Sequence, residues 1–197
     1  MDLLPEDDMP ALTREEIVKK IENGESLSGM DLREADLSYS NLKKADLSKT
    51  DLSHAHLQNA NLEGANLKGA NLENAFLFGA NLKGADLEKA VLRGANLQDT
   101  NMEKTVLKGI DLSQISLFGA QMDGANLEGC NLSRAKLKRA TLVGANLKNA
   151  DLRGAHLQRV VLKNADLRNA DFREANLSSA DLTGAKTDGA KFEGSIR

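Results

Sequence analysis

Residues 60–84 read ANLEGANLKGANLENAFLFGANLKG. Leucine falls at every fifth position, Ala stands two places before it, and Asn usually lies between them. The rhythm runs far beyond this stretch. From Leu27 to Leu182 every fifth residue is Leu, except Met102, Met122 and Phe172, which are also apolar. From Ala35 onward the position two before is nearly always Ala, otherwise Ser, Thr, Ile, Val or Cys. An α-helix turns about 100° per residue, so a step of five spirals around it and leaves no buried stripe. A flat strand has a period of two, and a step of five flips the face each time. The pattern fits a chain that turns a corner after every five residues. Four segments then make a square coil of about 20 residues with Leu and Ala pointing inward, and coils stack at about 4.8 Å. One coil buries little by itself, so stability comes from stacked neighbours.

Segments such as ADLSK (45–49), ANLEG (60–64), ANLKG (65–69), ADLEK (85–89) and ADLRN (165–169) resemble the motif of the pentapeptide repeat proteins: Ala, Asn or Asp, Leu or Phe, then two variable residues. The resemblance covers residues 25–194, which hold 34 units. It implies an all-β solenoid, a right-handed quadrilateral β-helix of about 8.5 coils and roughly 40 Å height. The expected organisation is an N-terminal segment with a short capping helix (1–24), the repeat β-helix (25–194) and a C-terminal tail (195–197). Thr13-Arg14-Glu15-Glu16 is a capping-box pattern and Asn23-Gly24 a stop signal. Ile17, Val18 and Ile21 give the helix between them an apolar side to lay over the first coil.

At the other end the register fails at Thr187, recovers at Phe192 and stops at Arg197. That end is either a surface for a homodimer through the C-terminal coil or a frayed last coil. Between 100 and 115 the small inward positions become Thr100, Thr105, Ile110 and Ile115, and Met102 replaces Leu. The bulkier groups should widen this coil, as a seam between two joined arrays near Met102 or as repeat drift, with the lumen still continuous.

Residues 20 apart stack into columns. One reads Lys68, Glu88, Lys108, Glu128, Lys148 and another Lys43, Glu63, Lys83, Glu103, alternating in sign where like charges would repel. Exposed pairs are each worth about 0–1 kcal/mol, so these columns mainly avoid repulsion. Asn41, Asn61, Asn81 and Asn101 should form a stacked amide ladder that holds a corner.

The side carrying Leu77 and Leu117 differs. Its outward residues include Tyr39, Phe76, Phe78 and Phe118, every aromatic expected to face water, while Phe172 and Phe192 point inward. Above them lie Lys136, Lys138, Arg139 and Arg159. From 134 to 173 there are ten Lys or Arg against three Asp. These eight residues form either a protein-binding face or random drift on a forgiving scaffold.

Chemistry is sparse. His56 and His156 share a column but lie five coils apart, about 24 Å, and no Cys or carboxylate cluster completes a metal site. Cys130, the single cysteine, takes an inward position as a space-filler. The turn glycines form no phosphate cradle. No catalytic residue, cofactor or metal is expected. The net charge of −3 gives no case for a membrane or for direct nucleic-acid binding. The acidic start MDLLPEDDMPALTREE lacks a secretory signal, and no apolar run approaches the roughly 20 residues of a membrane span. The expectation is a soluble, cytoplasmic, non-enzymatic scaffold that docks a protein partner. The resemblance also implies an alternative, a DNA mimic that binds DNA gyrase or topoisomerase and protects it from quinolones or toxins. The alternating columns lack the acidic stripe that such a mimic needs.

Overall fold

The computed structural model describes residues 12–197; residues 1–11 of the expected 1–24 segment lie outside the described residues. The chain from Met30 onward repeats one local unit. In Leu32-Arg33-Glu34-Ala35 the Ala35 N–H donates to the Leu32 carbonyl at 3.2 Å, and Glu34 has φ +59°. A positive φ at only the third turn residue is that of a type II turn. The Asp or Asn before Leu supports the turn, because its side-chain oxygen accepts from the N–H two residues on. Asn61 Oδ1 does so for Glu63 at 3.2 Å, and Asp151 Oδ1 for Arg153 at 3.0 Å. This local bond explains why Asn and Asp recur there.

Coils are joined by parallel bridges between residues 20 apart, from Asp31↔Asp51 to Asn176↔Ile196. Most Leu N–H groups donate upward, as Leu72 does to Val91 O at 2.7 Å, and most residues before Leu donate downward, as Asn71 does to Thr50 O at 2.9 Å. Backbone polar groups are thus satisfied between coils. The result is a quadrilateral β-helix whose lumen is filled by the leucines and small residues, nearly all fully buried. Met102, Met122 and Phe172 are buried in the same series.

Helix α1 spans Arg14–Glu22. Thr13 Oγ1 accepts from Glu16 N–H at 3.3 Å, and Thr13 N–H donates to the Glu16 carboxylate at 2.8 Å. Ile17 is fully buried in one cluster with Leu27, while Val18 and Ile21 are half-buried. Arg14 Nε donates to Ser40 Oγ at 3.0 Å, tying the helix to a coil corner.

At the C-terminal end Thr187 is exposed and Leu182 and Phe192 are half-buried. Phe192 stacks on Phe172, with centroids 5.0 Å apart, and the Arg197 guanidinium lies 4.4 Å over its ring.

Among the described residues the bridge ladder from Asp31 to Ile196 lacks one rung, Val91–Asp111. The backbone N–H groups of Lys89, Leu92, Gly94, Asp111 and Ser116 also lack the inter-coil bonds that their equivalents make. Leu97 N–H still reaches Ser116 O, but at 3.2 Å. On the opposite side Met102 N–H bonds Gln121 O at 2.6 Å, so the gap is a wedge, closed near Met102. Ile110 and Ile115 flank the displaced segment 111–114 and occupy inward corners that hold Ala in the coil below. Three extra carbons at each corner push the backbone out. Val91 adds to the effect, because it replaces the Asn or Asp that would brace the turn and bond its column. A cleft of about 260 Å³ between Arg93, Gly94, Ser113 and Gln114 marks the opening.

Candidate interaction face

The outer columns show how this tower handles charge. Lys43 pairs with Glu63 at 3.1 Å, Lys83 with Glu103 at 2.7 Å and Lys108 with Glu128 at 3.1 Å. Lys68 leans across to Asp86 at 3.1 Å and also reaches Glu88 at 3.6 Å. The alternating columns therefore resolve into separate pairs. A second device escaped the sequence reading. An Asp before the inward Leu or Phe grips an Arg after it, as in Asp151–Arg153, Asp166–Arg168 and Asp171–Arg173, each at 2.6–2.7 Å. These hydrogen bonds hold the carboxyls of Asp151, Asp166 and Asp171 below the usual carboxylate range. The signal was present as the repeated triplet of Asp, Leu or Phe, and Arg. The amide ladder runs from Asn81 to Asn61 at 3.2 Å and from Asn61 to Asn41 at 3.4 Å.

The face of the eight expected residues is built on a different pattern. Phe76 and Phe78 project from one segment, each somewhat over two-fifths exposed. Their neighbours Ala75 and Leu77 stay inward and fully buried, so the pair costs the lumen nothing. The Phe76 ring lies 4.9 Å from that of His56, one coil below. Phe118 is half-buried, two coils or about 10 Å above Phe78. Lys136, Lys138 and Arg139 occupy the next coil of this face, and Arg159 the one after. None of the four makes an ion pair within the described residues. Tyr39 is the most exposed aromatic, at 74 %. It also borders α1, in a cleft of about 530 Å³ with Arg14, Val18 and Ser40.

A separate cleft of about 420 Å³ lies on the neighbouring face, lined by Arg134, Arg153 and Arg173. Arg153 and Arg173 are already held by their own aspartates there, so the cleft is less cationic than its composition suggests.

Cys130 is buried, and its Sγ–H donates to Leu107 O at 2.8 Å. Burial pushes its thiol up to about 11, so it is protonated at neutral pH. Among the described residues no group of three or more His, Cys, Asp or Glu could hold a metal, and no helix is long and apolar enough to cross a membrane.

The family profile described as pentapeptide repeats (8 copies) matches residues 23–53, 45–84, 77–114, 115–154 and 155–194. Among solved structures, the chain is similar to HetL, a pentapeptide repeat protein involved in heterocyst differentiation regulation from the cyanobacterium Nostoc sp. strain PCC 7120. The two are 32% identical over 93% of this chain and 96% of that one, with a TM-score of 0.65. QnrB1, a plasmid-mediated fluoroquinolone resistance protein, is 16% identical over 86% of this chain and 89% of that one in a trypsin-treated M102R form. The TM-score of that pair is 0.43. No curated protein sequence matches significantly.

Proposed function

Because this chain belongs to the pentapeptide repeat family, whose fold is the right-handed quadrilateral β-helix, we propose that it is a non-enzymatic scaffold. It docks a protein partner on the face formed by Phe76, Phe78, Phe118, Lys136, Lys138, Arg139 and Arg159, with Tyr39 at its lower margin. Residues 25–194 form about 8.5 stacked coils and α1 covers the first; the expected tail 195–197 instead continues the last coil, since Ile196 is bridged to Asn176 and Arg197 lies over Phe192. The observation that carries this reading is the pairing of exposed Phe76 and Phe78 with cations that the tower leaves unmatched. Elsewhere, Lys43 and Arg168 are among the cations neutralised by the tower's own carboxylates. Exposed aromatics and arginines are the residue types that dominate protein–protein hot spots.

The DNA-mimic reading finds less support. In the column richest in aspartate, Asp31, Asp151 and Asp171 are engaged by Arg33, Arg153 and Arg173, and Asn71, Val91 and Asn131 interrupt the rest. The open C-terminal coil, with Phe192 half-buried and Ile196 exposed, suits contact with a second copy. The test is affinity capture from native lysate with wild-type protein and a Phe78→Ser/Phe118→Ser variant. The docking reading expects a protein captured by the wild type and lost in the variant. An unchanged capture pattern would sink the face.

A further inference from the structure

We infer that the partner presents an acidic peptide segment to Lys136, Lys138, Arg139 and Arg159; this rests on the docking reading above and names the chemistry that the face receives. The argument begins with one substitution inside the repeat. In ADLRN (165–169) Asp166 holds Arg168 at 2.7 Å. In AKLKR (135–139) the equivalent of that Asp is Lys136, so Lys138 meets a like charge where ADLRN supplies an acid and units such as ANLKG (65–69) a neutral Asn. The same reversal appears between coils. Lys136 is bridged to His156, and Arg139 N–H donates to Gln158 O, which places Arg159 beside Arg139 in the next coil. The column of Lys108 and Glu128 puts an acid next to a cation, and where arginines do stack, at Arg153 and Arg173, each is held by its own aspartate. Stacked like charges about 5 Å apart are unfavourable, and nothing in the described residues offsets them.

Two features select a peptide among anions. The cationic run spans about two coils, or 10 Å, too short to track a duplex backbone, and Asp99 lies below it on the same face. Phe118 sits in the Lys138 column one coil down, so the charge borders an apolar contact. In extended conformation three residues cover about 10 Å, the height of two coils. One apolar residue against Phe118 and acids three residues on would therefore match the face.

The probe is a labelled twelve-residue peptide of Glu and Asp with one central Trp, followed by fluorescence anisotropy. Its controls are the same peptide with Gln and Asn for the acids, a 20-base-pair DNA duplex and inorganic phosphate as competitor. The expected result is saturable binding of the acidic peptide, weakened at least tenfold by Arg139→Glu/Arg159→Glu and by raising salt from 50 to 300 mM. These positions are exposed, so the variant should keep the wild-type circular dichroism and melting temperature. No binding at 100 µM protein, or equal binding by the variant, would overturn the inference. So would tighter binding of the duplex, or full displacement by millimolar phosphate. Lysate capture separates the two levels: a captured protein lost in the Phe78/Phe118 variant but retained after charge reversal leaves docking standing and removes the acidic segment. Capture unaffected by either variant removes both.

Discussion

Replacing Ile110 and Ile115 by Ala should close the wedge between residues 89–95 and 108–116. In the wild type the N–H groups of Leu92, Gly94 and Asp111 have no backbone acceptor, while Leu72 and Leu112, one coil away on either side, bond carbonyls at 2.7 Å. The double substitution removes about six buried carbons, a loss of about 5 kcal/mol at roughly 0.8 kcal/mol per group. It allows five inter-coil bonds to form at about 1 kcal/mol each. The two effects nearly cancel, so the melting temperature should move little, whereas Leu72→Ala in an intact coil should cost about 2–5 kcal/mol. Hydrogen exchange reads the local change. Three restored bonds add about 3 kcal/mol to the cost of opening that segment, which slows exchange of its amides roughly 100-fold. In the wild type, amides 92, 94 and 111 should exchange far faster than 72 and 112. Equal protection at all five, or a variant that loses about 5 kcal/mol with exchange unchanged, would refute the overpacking argument.

Acid should weaken the tower. Asp181, hydrogen-bonded first by Thr183 and then by Lys163, is held down at about 2, and Asp31, Asp46 and Asp171 are lowered by similar bonds. A lowered carboxyl contributes stability that is fully present above its unfolded value, near 4, and lost as pH falls toward the folded one. Melting temperature should therefore hold from pH 7 to 5 and drop between about pH 4 and 2; a flat profile there counts against it. Cys130 should resist a thiol reagent at pH 8 in the native state and react once unfolded, whereas rapid native labelling would place it outside the lumen. Gly119 has φ +68°, and a Cβ there would run into the Asp99 carboxylate. Gly119→Ala should cost at least about 1–2 kcal/mol by thermal melt, and Gly119→Ala on an Asp99→Ala background should cost less.

The fivefold rhythm made the lumen legible because an inward position tolerates only a narrow range of volumes. Leu at every fifth residue and Ala two before it fix the corners regardless of what the outside carries. The capping box at Thr13 and Glu16 was legible for a similar reason, since two local bonds define it. The wedge was only half legible. Ile110 and Ile115 announced a wider coil, but the side on which it opens depends on backbone bonds 20 residues apart and on Val91, whose missing carboxamide drew no notice. Spacing alone shows that the charge columns alternate in sign, but not that Lys68 prefers Asp86 to Glu88. Tyr39 was grouped with the phenylalanines by its side of the square, although α1 makes part of its surroundings. Outward residues carry few packing constraints, so their roles emerge only when neighbours in three dimensions are known.

The docking face is tested most directly by a photo-crosslinking amino acid placed at Gln98, between Phe78 and Phe118 in their column, or at Glu88 on the opposite side of the square. Irradiation in native lysate followed by mass spectrometry reads which side a partner touches. The account predicts a discrete protein adduct from position 98, absent from position 88 and lost when Phe78 and Phe118 are changed to Ser. An adduct from position 88 alone, or equal adducts from both, would contradict it.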